Sequence, residues 1–149
     1  MTVPSPSDAA RTINAGRLWT GGVATAVVAA LVALVGVLIC RGLLDVPVLA
    51  PIEEGTLGDA STFRLVGLAA LAALAATALL HLLLLSTPRP LRFFHWMVAL
   101  ATVAAALVPW LTDADLAEKV ATSAVYLAIG ISIGSLLSGV ARSAVRGPV

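Results

Sequence analysis

Residues 18–39 read LWTGGVATAVVAALVALVGVLI, 22 positions without one Asp, Glu, Lys or Arg. A bilayer core about 30 Å thick takes about 20 apolar residues of helix to cross, so this stretch is long enough. Backbone polar groups in lipid must find partners within the segment, which selects helix. Apolar side chains run all round it, unlike the one-sided stripe of a soluble helix. Arg17 stands before it, and Arg41 and Gly42 follow. Its apolar core exceeds the usual ~7–15 residues of a signal peptide, so it is expected to stay as an anchor. Cys40 follows Val37, Leu38 and Ile39, not the small residue that a lipid-attachment site needs, and reads as a small apolar residue at a helix end.

Working outward, Phe63–Leu85, Phe93–Leu111 and Val120–Ala141 carry the same signature. Arg64 lies just inside the second stretch, where its long stem can snorkel to the interface. Trp19, Trp96 and Trp110 fall near the ends of spans, where amphipathic rings favour the headgroup region. The whole composition agrees. Of 149 residues, 60% are hydrophobic and 11% charged, against ~25% charged in soluble domains. So few charges cannot coat a soluble globule of this size. The net charge of +1 gives no general attraction to nucleic acid.

The expected fold is therefore all-α, a four-helix transmembrane bundle running up-down-up-down. Residues 1–16 read as a flexible tail, 17–141 as the membrane domain and 142–149 as a second tail. Arg11, Arg17, Arg89, Arg92, Arg142 and Arg146 fall on one side, and Arg41, Arg64 and Lys119 on the other. The positive-inside rule then puts both termini in the cytoplasm, with the bundle expected in the plasma membrane. Most acids, among them Asp45, Glu53, Glu54 and Asp113, fall on the outer side. The outer loop 42–62 has two prolines and apolar residues, and is expected to fold back on the bundle. The short link from Ser86 to Arg92 makes helices two and three antiparallel neighbours. Thr112 or Asp113 is placed to cap the turn into helix four.

Chemistry-bearing residues are few. His81 and His95 each stand seven residues from Pro88, so a hairpin brings them to similar depth near the cytoplasmic interface. They are the candidate cofactor-binding residues, for haem or metal, although two ligands fall short of a zinc site. Local hydrogen bonding is the plainer role for both. Gly130, Gly134 and Ser138, at four-residue spacing, form a small-residue row of GxxxG type for helix packing. Gly21, Thr25, Ala29 and Ala33 form a second row on helix one. Such rows serve packing within the chain or between copies. Tyr126, Thr122, Ser123, Ser132 and Ser135 are polar residues of helix four that could line a cavity or bond between helices. No Walker, HExxH, G-x-S-x-G or CxxC motif occurs. No catalytic residue, metal ligand set or cofactor is assigned.

Asp59-Ala60-Ser61-Thr62 precedes helix two, and His81 is followed by Ser86-Thr87-Pro88-Arg89-Pro90 and the aromatic restart Phe93-Phe94. Thr112-Asp113, Leu116-Ala117 and Lys119-Val120-Ala121-Thr122 open helix four. In these features the chain resembles a family of small bacterial four-helix integral membrane proteins of unknown function, over roughly residues 17–141. The resemblance implies a membrane bundle and brings no activity or site residue. The expected role is a non-enzymatic accessory or scaffolding subunit of a membrane assembly. A small oligomeric transporter or channel component is the alternative, and a haem- or metal-binding membrane protein the third. Expected partners are the lipid bilayer and a membrane protein or further copies of the chain, with no nucleic acid.

Overall fold

The computed structural model describes residues 15–49 and 59–145. The ends of both expected tails and the middle of the outer loop, with Arg11, Pro51, Glu53, Glu54 and Arg146, lie outside the described residues. Four helices follow one another: α1 (Ala15–Gly42), α2 (Asp59–Ser86), α3 (Pro90–Leu107) and α4 (Leu116–Val145). A 3₁₀ turn, Val108–Leu111, joins α3 to the link before α4. All four spans are long and apolar enough to cross a membrane, with α3 and its 3₁₀ turn forming the third. The chain is a multi-pass helical membrane protein.

The helices outrun the apolar stretches that announce them. α1 is already helical at Ala15, the first described residue and ahead of Leu18, and α4 is still helical at Val145, the last described residue and beyond Ala141. Continuing the helix keeps backbone groups bonded through the interface, while Arg17 and Arg142 can extend toward water. Two prolines set the limits of α3. Pro90 occupies its first turn, where the missing N–H has no intrahelical partner to lose. Pro109 forces the other end: the Val108 N–H bonds Ala105 O, the tighter spacing of a 3₁₀ turn. The Thr112 hydroxyl closes that turn on Pro109 O at 2.7 Å. Neither Thr112 nor Asp113 opens α4. Asp115 O accepts the first helical bond, from Lys119 N at 3.0 Å, so Asp115 holds the cap position.

Packing does not follow chain order. α1 holds both α2 and α4, and α3 leans on α4. The α2–α3 seam is much thinner, although only residues 87–89 join the two helices. The expectation of close α2–α3 neighbours thus holds at the hairpin and fails along the length. A short link fixes helix ends, and side-chain fit decides the rest. A Cβ on Gly21 would stand 2.5 Å from Val140 Cγ1, and one on Gly36 would stand 3.1 Å from Val125. The α4 number falls as the α1 number rises, so these two helices are antiparallel. Thr25, Ala29 and Ala33 are buried along α1. Small side chains let backbones approach, and dispersion then holds the pair together without a hydrophobic drive. Leu18, Leu80, Phe94 and Leu137 are fully buried and fill the wider gaps.

The described part of the outer loop does fold back. Asp45 takes a left-handed φ of 53°, a region in which Asp is enriched among non-glycine residues. Val46 N then reaches Cys40 O at 2.8 Å and reverses the chain. Leu49 N donates to Thr122 Oγ1 at 3.0 Å, and Tyr126 Oη donates to Leu49 O at 3.2 Å. Both backbone groups of Leu49 are therefore held by α4.

Candidate functional site

The thin α2–α3 seam leaves a groove of about 540 Å³, walled by α2, α3 and α4 and open on one side. Ala69, Ala72 and Ala76 make the middle of the α2 wall between Leu65 and Leu79, and Ala101 and Ala105 stand on α3. Side chains this short do not fill the space between α2 and α3, which meet only thinly. Ile129, Gly130 and Ile133 of α4 close the back. Two hydroxyl-bearing side chains line it, and both hydroxyls are engaged: Thr102 donates to Val98 O at 2.7 Å and Tyr126 to Leu49 O. The groove is an apolar cleft of the size that small ligands occupy.

The two histidines have different surroundings. His95 is exposed, yet both ring nitrogens have partners: Nδ1 lies 2.7 Å from Leu91 O and Nε2 lies 3.0 Å from Ser138 Oγ. A carbonyl only accepts, so Nδ1 carries a proton. Nε2 shares its hydrogen bond with the Ser138 hydroxyl, whose single proton also serves Gly134 O. His81 is half-buried, and its Nδ1 is buried without a hydrogen-bond partner among the described residues. Among the described residues no three of His, Cys, Asp and Glu gather as a metal-ligand group.

The small-residue row of α4 faces α3. A Cβ at Gly130 would overlap the Thr102 side chain, while one at Gly134 would meet only Val98 Cγ1, at 3.4 Å. Ser138 continues the row with its bond to His95. Other polar residues of α4 also serve packing. Ser123 donates to Ala106 O at 2.7 Å and accepts from Trp110 Nε1 at 3.1 Å, tying α4 to the end of the third span. Ser132 and Ser135 bond carbonyls of their own helix.

Sequence reasoning missed the groove. The signal was present in the alanines of α2, but they surround the helix and mark no face. It also missed a pattern on α3. Phe93, Trp96, Leu100, Val103, Leu107 and Trp110 recur at alternating spacings of three and four residues, and all are exposed.

No curated protein and no solved structure matches the chain. The description of a family of unknown function, DUF6069, matches residues 13–143, and the chain belongs to that family.

Proposed function

We propose that the protein is a non-enzymatic accessory or scaffolding subunit of a larger assembly in a bacterial plasma membrane, with both termini cytoplasmic. The exposed stripe of α3 carries this reading. Its spacing is the heptad pattern by which a helix offers large side chains to a second helix. Transmembrane helices commonly pair at the same left-handed crossing. α3 is also the least enclosed of the four spans, with only Phe94 and Ala106 buried in the helix proper. The stripe leaves room for one transmembrane helix of a partner protein.

The test is a photocrosslinking amino acid placed at Leu100 or at Val27, an exposed position on α1. Crosslinking in native membranes should trap one discrete membrane protein from Leu100 and none from Val27. Equal, diffuse labelling from both positions would remove the subunit reading. Capture only of further copies of the chain would favour the oligomeric transporter, whose support is the polar content of α4.

A further inference from the structure

We infer that the groove between α2, α3 and α4 is a binding site for one acyl chain of an anionic phospholipid, with the headgroup at Arg64. The first argument is size. From Leu65 to Leu79, both lining residues, α2 rises about 21 Å at about 1.5 Å per residue. A volume of about 540 Å³ open to the centres of water-sized molecules over that length gives a lane about 6 Å across, and so a slot about 9 Å wide between its walls. A helix with side chains is about 10–12 Å across and does not enter. A methylene chain, whose carbons meet neighbours at about 4 Å, does.

The second argument is direction. The groove begins seven residues from the hairpin on both helices, at Leu79 and Met97, and runs away from it to Leu65 and Val108. It therefore opens toward the leaflet that faces the loop after α1. The third argument is charge. Arg64 stands beside Leu65 and one helical turn from Leu68, both of which line the groove. Its side chain is exposed and has no ion pair or hydrogen bond among the described residues. A cation at the mouth of an apolar slot fits a phosphate above a hydrocarbon chain. The inference stands whether or not α3 pairs with another protein.

The experiment uses the full chain in mild detergent with added phosphatidylglycerol or phosphatidylcholine, read by native mass spectrometry. The parent should retain one phosphatidylglycerol. Ala101→Trp and Ala72→Trp, which fill the slot, should each weaken retention of either lipid by about tenfold, or 1.4 kcal/mol. Arg64→Gln should leave phosphatidylcholine binding in place and reduce the preference for phosphatidylglycerol about fivefold, the effect of one basic residue at an anionic surface. Retention at the parent level in a correctly folded Ala101→Trp protein overturns the site. An unchanged preference in Arg64→Gln overturns the headgroup assignment. Should the tryptophan variants misfold, phosphatidylglycerol with a photoreactive acyl chain decides with the parent. Adducts concentrated on the lining residues support the site. Adducts spread evenly over all four helices, or an adduct-free groove crosslinked to a second protein, overturn it.

Discussion

Ser138 on α4 and His95 on α3 share a hydrogen bond of 3.0 Å, formed between a buried hydroxyl and a ring whose other nitrogen is held by its own helix. The bond ties α3 to α4 near the end of the bundle where the α2–α3 hairpin lies. Interhelical hydrogen bonds in membranes average about 0.6 kcal/mol, so the link is modest in energy. Its effect is local, because the other hydrogen bonds that join the third span to α4, through Ser123, lie at the opposite end.

Ser138→Ala should therefore lower stability in mild detergent by about 0.5–1 kcal/mol. The loss should be concentrated in α3. Hydrogen exchange should quicken in the first turns of α3 and stay at the parent rate in α1 and α2. Unaltered exchange in α3 would show that the bond holds nothing.

Gly130 and Gly134 should respond differently to the same change. At Gly130 an added methyl displaces Thr102, whose hydroxyl must then leave Val98 O. Gly130→Ala should destabilise by about 1–3 kcal/mol, the usual cost of overpacking. Gly134→Ala meets only Val98, in near-ordinary contact, and should cost less than half as much. Thermal unfolding of the two variants side by side checks this. Equal losses would mean that α3 and α4 stand closer at Gly134 than the structure has them.

The loop anchor makes a third case. Thr122 is fully buried, and its hydroxyl is the acceptor for Leu49 N. Thr122→Val keeps the shape and strands that backbone N–H, at a cost of about 1–3 kcal/mol. Limited proteolysis from the loop side should cut the 43–58 segment several-fold faster, while Tyr126→Phe, which leaves a carbonyl with a spare lone pair, should have a smaller effect. Identical cleavage of parent and Thr122→Val would show that the loop is held elsewhere.

Sidedness rests on six of nine basic residues and is open to direct test. Reporter fusions after Ala50 and Asp115 should report the outside, and fusions after Arg89 and Val149 the cytoplasm. A cytoplasmic signal after Asp115 would sink the arrangement.

Much of the fold was legible because lipid imposes length and charge rules that a single sequence displays. Pro90 and Pro109 mark boundaries for reasons of ring geometry, and each stands within a few residues of a helix end. Pairing was less legible. A short link at 87–89 promises an α2–α3 interface, and the actual interfaces are with α1 and α4. Alanine on every side of α2 offers no difference in side-chain size from which to read a face. The same uniformity hid the groove, which exists because small walls stay apart. The loop anchor was half legible: its apolar residues predicted contact, but only Asp45 in a left-handed turn directs Leu49 onto Thr122. The row through Gly130 was visible, whereas which glycine is tightest depends on Thr102, thirty residues away on another helix.

That α3 leans on the helix after it, and not on the one before it, has a consequence for how the protein is made. Synthesis delivers α1 and α2 first, and these two already possess most of their mutual contact. α3 enters the bilayer next, tethered by three residues and without its main support. Only when α4 arrives does it slot between α1 and α3 and complete both interfaces. A chain stopped after Asp115 should show slow exchange in α1 and α2 and fast exchange in α3, and equal protection in all three would count against this order of assembly. The last helix translated is thus the keystone of the bundle.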